Sequence, residues 1–220
     1  MQITDIQPGK RDPKRVNVYL DGKFAFAVSQ ELKILNKLQI NGQITQENLE
    51  KLIFEDQTNR LFEKALKFLS FRPRSKKEIK DNLIQKLRLT DKGEEEKKTF
   101  EKSVENVLKK LEKIGQINDA EFANWWVEQR TRFKKASQRI IKSELLSKGL
   151  DRDTIETALT KIEIDPVQTA TEAAQKKLSS YQKLEPKDFK IKLSRYLGAR
   201  GFDWEVIKKV VDTLSKKEVE

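Results

Sequence analysis

The residues of this chain whose types and spacing suit a chemical task are cations, and they fall in three groups. Arg72, Arg74, Lys76, Lys77 and Lys80 form the first. Arg130, Arg132, Lys134, Lys135, Arg139 and Lys142 form the second, and Lys183, Lys187, Lys190, Lys192 and Arg195 the third. Lysine and arginine side chains donate hydrogen bonds and accept none. Groups of them hold phosphates along a nucleic-acid backbone, or carboxylates on an acidic protein surface. That chemistry is grip rather than turnover, and the rest of the sequence offers no reaction. There is no cysteine and no histidine. This removes the thiolate nucleophile, the zinc–cysteine site, the disulfide framework, the Ser-His-Asp triad and the imidazole ligand. The eight glycines are scattered singly, so no phosphate-cradling loop occurs. Asp5, Asp12 and Asp21 make no metal-nuclease pattern. Glu94, Glu95 and Glu96 are consecutive, so on a helix they point in different directions and read as a solvated helix start. The expectation is a protein with no catalytic residue, no metal, no cofactor and no enzymatic activity.

The elements that carry the cations must be thin. Of 220 residues, 36% are hydrophobic and 37% charged, with a net charge of +11. Ordinary globular chains carry roughly 25% charge, so several layers with narrow buried stripes fit better than one large core. No apolar run approaches the ~18 residues of a membrane span. Met1 to Lys10 lacks the basic and apolar regions of an export signal. A cytoplasmic protein with no membrane partner is expected.

Residues 1–57 read as a small α+β module. Val16 to Leu20 alternates, Asp21-Gly22 follows, and Phe24 to Val28 alternates again, which marks a β-hairpin. Ile3 to Ile6 suits a further strand, Glu31 to Leu38 a short helix, and Thr45 a cap for a helix bearing Leu49, Leu52 and Ile53.

From Thr58 onward the spacing predicts helices only. Ser75 and Glu78 form a capping box before Ile79, Leu83 and Leu87. Phe100, Val104, Val107, Leu108 and Leu111 make the next stripe, stopped by Gly115. Asp119 is placed to cap a helix carrying Phe122, Ala123, Trp126 and Val127. Ile140, Ile141 and Leu145 lead to Gly149. Asp151 or Asp153 then caps Ile155 and Leu159, and Asp165-Pro166 opens the next helix. Leu193 and Leu197 lead to Gly201, and Asp203 starts the last helix with Trp204 packed beside it.

These nine helices come in threes. Lys148-Gly149-Leu150-Asp151-Arg152-Asp153-Thr154-Ile155 repeats in kind as Arg200-Gly201-Phe202-Asp203-Trp204-Glu205-Val206-Ile207, and Ser75, Leu83 and Lys86 correspond to Ser137, Leu145 and Lys148. Such periodicity implies stacked units that share apolar faces. The fold expected is mainly α: tandem three-helix, helix-turn-helix-like repeats at 58–117, 118–164 and 165–220, forming an elongated body behind the module at 1–57. Each cationic group then falls on the link between the first two helices of a repeat, and regular stacking would align the links as one basic ridge. The alternative is that they are ordinary solvated loops. Trp125-Trp126 could offer a base-stacking platform, though on a helix one of two neighbours normally faces the core.

The motifs also resemble a known family. Arg72-Pro73-Arg74-Ser75 with Glu78-Ile79 and Leu83, then Asn118-Asp119-Ala120-Glu121-Phe122-Ala123 with Trp126-Val127 and Arg130, then Glu144-Leu145 with Lys148-Gly149-Leu150, resemble three segments of the RecX family of recombinase regulators, in that family's order. The resemblance covers about residues 58–211, and the hairpin module is similar to the N-terminal extension of longer Gram-positive members. Two departures stand out. Leu87 replaces a glycine often found there, and Lys135-Ala136-Ser137 lacks a glycine common before the second helix of the second repeat.

The resemblance implies binding to RecA and to the RecA–DNA filament, with restraint of strand exchange, ATP hydrolysis and coprotease activity in DNA repair and the SOS response. It also implies some affinity for DNA. Arg72, Arg74, Lys76, Lys77, Arg130, Arg132, Lys134, Lys135 and Arg139 are the expected contacts, acting on the DNA backbone largely without sequence preference, from a monomer. A sequence-specific DNA-binding protein built of helix-turn-helix units is the first alternative, weakened by the lack of a compact base-reading set of Arg, Asn and Gln. A metal-dependent nucleic-acid enzyme is the second.

Overall fold

The computed structural model describes the chain apart from residues 11, 86–92, 163–164, 182–183 and 217–220 and the side chain of Lys216. Lys86, Leu87 and Lys183 therefore lie outside the described residues. The chain divides into two compact units, one of Met1–Arg72 with Ile79–Gln116 and the other of Pro73–Glu78 with Ile117–Glu220.

In the first unit, β1 (Ile3–Pro8), β2 (Arg15–Leu20) and β3 (Lys23–Ser29) form an antiparallel sheet in that order. Asp21 and Gly22 take φ of 48° and 81°, the left-handed pair that an Asp-Gly hairpin turn requires. Val16 pairs with Val28 and Val18 with Phe26, so one face of the sheet is apolar. It is covered by Leu32, Ile44 and Leu52. The short helix α1 (Gln30–Leu35) stops earlier than the apolar pattern suggests, where Lys37 turns left-handed at φ 50°.

Helix α2 (Gln46–Leu69) starts at Thr45, whose hydroxyl accepts the Asn48 N–H at 3.2 Å. No glycine or proline interrupts it, so it runs unbroken through position 57 and serves two cores. Leu52 closes the sheet, whereas Leu61 and Ala65 are buried in the half that packs with α4 (Glu94–Lys113). There Val104, Val107, Leu108 and Leu111 form the expected buried stripe.

A buried ion pair, unmarked in the sequence, ties sheet to helix. Arg15 donates to both carboxylate oxygens of Asp56, at 3.1 and 2.8 Å, and to the Ala27 carbonyl at 2.6 Å. Asp56 also accepts the Ser29 N–H at 3.0 Å and is only 5% exposed.

The second unit holds two three-helix cores. Helices α5 (Asp119–Gln129), α6 (Gln138–Ser147) and α7 (Arg152–Thr160) enclose Phe122, Trp126, Ile141, Leu145 and Ile155. Helices α8 (Pro166–Tyr181), α9 (Pro186–Ala199) and α10 (Trp204–Lys216) enclose Ala173, Phe189, Leu193, Leu197 and Val210. Together with α2, α3 (Lys76–Ile84) and α4, the described residues make three tandem three-helix groups behind a small sheet module.

Two local expectations are corrected. Asn118, not Asp119, caps α5, accepting the N–H groups of Ala120 and Glu121 at 3.0 and 3.2 Å. Asp119 instead accepts the N–H of Lys76 at 2.8 Å. A cap is chosen by which carbonyl oxygen reaches the orphan donors, and the neighbouring residue reaches them here. Trp204, expected to be a packed residue, is instead 68% exposed, because the buried face of α10 begins at Ile207. No helix among the described residues is long and apolar enough to cross a membrane.

Candidate nucleic-acid interface

The second cationic group sits on a distorted end of α5. Residues Arg130–Lys134 form one π-helical turn, closed by Lys135 at φ 51°. This wider, underwound turn moves successive cations into different surroundings. Arg130 turns inward. Its Nε donates to Glu144 at 2.7 Å, and its guanidinium lies 4.3 Å from the centre of the Trp126 ring. Trp126 Nε1 donates to the same carboxylate oxygen at 2.7 Å, and Lys148 Nζ lies 4.2 Å from the ring centre. Trp126 is thus a core residue faced by cations, with its stacking surface occupied.

Lys135 pairs with Glu172 on α8. That hydrogen bond holds the Glu172 carboxyl below its ordinary pKa, against the opposing effect of partial burial. Arg139 Nε donates to the Gly201 carbonyl at 3.2 Å. Arg130, Lys135 and Arg139 therefore hold the second unit together.

Arg132 and Lys134 point away from it. Both are exposed; Arg132 makes a long contact of 3.8 Å to the exposed Glu128 and its guanidinium lies 5.6 Å from the centre of the Phe133 ring. Among the first group, Arg72, Arg74 and the Lys76 side chain are half-buried and Lys77 is exposed. In the third, Lys187, Lys190, Lys192 and Arg195 are exposed, with Lys190 3.7 Å from Asp212.

Some of the link residues build a joint that occurs twice in the second unit. At the first joint Ser75 lies at the start of α3. Its hydroxyl donates to the Lys148 carbonyl at 2.8 Å and accepts the Glu78 N–H at 3.2 Å. Glu78 receives Lys148 Nζ at 2.7 Å, and the Lys77 stem covers Gly149. At the second, the Ser137 N–H donates to the Arg200 carbonyl at 3.2 Å, the Ser137 hydroxyl accepts the Ile140 N–H at 3.3 Å, and Ile140 covers Gly201.

In both joints the start of a repeat's second helix meets the end of the next repeat's second helix. A helix-end carbonyl thereby meets a donor, the Ser75 hydroxyl at the first joint and the Ser137 N–H at the second, and the two helix ends are electrostatically opposed. Both glycines are left-handed, at φ 84° and 80°, and stand under a side chain, so neither tolerates a Cβ.

Comparison with known proteins matches this architecture segment by segment. The family description "Regulatory protein RecX N-terminal domain" matches residues 1–45, and the first, second and third RecX three-helix domains match residues 62–87, 118–159 and 163–211. A regulatory protein RecX of Clostridium beijerinckii is 31% identical over 222 residues, covering all of this chain and 98% of its own. The chain belongs to the RecX family.

The RecX protein of Clostridioides difficile is 29% identical over 96% of this chain and 95% of its own. A crystal structure of a regulatory protein RecX superposes with a TM-score of 0.61 at 26% identity, covering 96% of this chain and 98% of that one. The RecX of Lactobacillus salivarius gives 0.52 at 25% identity over 73% of this chain and 97% of that one. Within this RecX chain, two residues escaped the reading of the cationic links. Phe71 and Phe133 are 76% and 56% exposed. Their signal was available: each stands four positions before a capping serine, Ser75 or Ser137, and each is followed by a cation.

Proposed function

We propose that this chain binds RecA and the RecA–DNA filament and restrains strand exchange, ATP hydrolysis and coprotease activity, as a cytoplasmic monomer acting in DNA repair and the SOS response. The observation that carries the proposal is the full-length likeness to RecX regulatory proteins. The exposed cations on the links add a physical means. Arg132 and Lys134 on the π-helical turn, Lys77 at the first joint and Lys187 and Lys192 in the third repeat meet DNA phosphates and acidic groups of the filament. Arg72, Arg74 and Lys76 supply further contacts from the first link. Contacts spread over tandem repeats act at high effective concentration, so individually weak ones hold firmly together. Arg130, Lys135 and Arg139 contribute by holding the turn and the joint in place.

The test is RecA ATPase and strand exchange with increasing amounts of the protein. Inhibition is expected, and its absence at saturating ratios would overturn the proposal. Inhibition at ratios far below one per RecA would mean capping of growing ends; inhibition only at dense coverage would mean occupation of the filament groove. The double reversal Arg132→Glu with Lys134→Glu should weaken filament binding by at least tenfold while leaving the free energy of urea unfolding within about 0.5 kcal/mol of the parent. If about six cations meet phosphates, affinity should fall roughly 10³-fold between about 50 and 200 mM salt. Selection of binding sites from random DNA should return no consensus.

A further inference from the structure

We infer that Phe71 and Phe133 are stacking anchors for the bases of single-stranded nucleic acid. The inference deepens the nucleic-acid part of the proposed function and rests on it. Large apolar side chains that serve the fold are buried in this chain, as Phe122 and Phe189 are at 1% and 2% exposure. Phe71 and Phe133 are the opposite, and they hold equivalent places in two repeats.

The exposure of Phe133 is built rather than loose. The π-helical turn displaces it from the buried stripe of α5, its carbonyl accepts Lys176 Nζ at 3.0 Å, and the adjacent Lys135–Glu172 pair ties the turn to α8. Single π-turns inside or at the end of α-helices are frequent at functional sites. Phe71 follows the end of α2 at Ser70, where the approach to Pro73 ends the helix.

The neighbours of each ring select the partner. Phe133 lies between Arg132, whose guanidinium is 5.6 Å from the ring centre, and Lys134. Phe71 is followed by Arg72 and Arg74. Lysine is depleted from the core of protein–protein interfaces, and the exposed Lys134 directly follows Phe133. A planar ring beside cations suits a base with its phosphate. Stacking of this kind tolerates any base, because every base has a π-face. In the third repeat the residue four positions before the helix cap Glu185 is Tyr181, which is half-buried against that repeat's own core, so two exposed rings serve three repeats.

The experiment uses the full chain and labelled oligothymidylate, with an abasic oligonucleotide of equal length and charge as control, read by fluorescence anisotropy at fixed salt. Phe133→Ala and Phe71→Ala should each weaken oligothymidylate binding about tenfold and leave abasic binding unchanged. Phe133→Tyr should bind as the parent does. Phe133→Leu, which keeps apolar bulk without a flat ring, should behave as the alanine variant. Urea unfolding verifies that each variant is folded.

Equal losses on both oligonucleotides, full rescue by leucine, or no oligothymidylate binding by the parent would each overturn the inference. Variants that bind oligothymidylate normally but fail to inhibit the RecA filament would also overturn it, placing the rings against protein while the regulatory reading stands. Variants that lose oligothymidylate binding and still inhibit the filament would uphold it.

Discussion

The joint at Ser75 and Gly149 and the joint at Ser137 and Gly201 hold equivalent places in successive repeats, yet they are made of different materials. The first is polar and partly wet. The Lys148–Glu78 pair closes it with both side chains 17% exposed, and a lysine stem covers the glycine. The second is apolar at its centre. Gly201 is buried beneath Ile140, and Arg139 caps its carbonyl. The serine and the glycine recur while the residue covering the glycine changes from Lys77 to Ile140. The recurring part is therefore backbone geometry, a helix start set against a left-handed helix end, and the covering side chain is free to vary. The comparison also shows why charge alone misleads. The second link is the richer in cations, and it spends Arg130, Lys135 and Arg139 on its own structure.

The sharpest way to break this comparison is to place a methyl group on each glycine. Gly201→Ala should destabilise by about 3 kcal/mol, combining left-handed strain with a clash against Ile140 and the Ser137 hydroxyl. Gly149→Ala should cost about 2 kcal/mol, because the outer Lys77 stem can move and only its Cβ, 2.8 Å from the new methyl, is held by the backbone. Urea unfolding measures both, and equal losses would mean that the two joints are equivalent after all.

A smaller effect is expected at Lys135, a lysine in the left-handed region next to the second joint. Lys135→Ala loses the pair with Glu172 and keeps the backbone strain, whereas Lys135→Gly loses the pair and relieves the strain. The glycine variant should be the more stable of the two by about 1 kcal/mol. A difference near zero would show that the turn relaxes elsewhere.

The smallest effect concerns pH. Glu172 has its folded-state pKa lowered by Lys135. Its contribution is therefore fully present above the ordinary 4.5 and is lost as pH falls through the lowered folded value. The pair is partly exposed, so the contribution is under about 1 kcal/mol. Glu172→Gln should flatten the acid limb of stability against pH below about 4.5, and an unchanged acid limb would remove the pair from the account of the second joint.

Much of the fold was legible in the chain because its causes are local. The Asp21-Gly22 turn, the Ser75–Glu78 box, the stop at Gly115 and the stripe from Val104 to Leu111 depend on residues within a few positions of each other. Their φ preferences and side-chain reach act on the same segment in which they are read. The repeat was legible for the same reason, since each copy restates one set of local rules.

The fate of each cation was not local. Arg130 finds its acid 14 residues away, Arg15 its acid 41 residues away, and Lys148 its acid 70 residues away. Asp119, one residue from a cap, serves Lys76 43 residues earlier. Sequence by itself determined which residues bear charge and, to within a few positions, where most of the helices begin. Tertiary structure alone decided which charges are satisfied inside and which, like Arg132 and Lys134, face water. Pairing depends on distances in space that loop connections set and that no periodicity along the chain records.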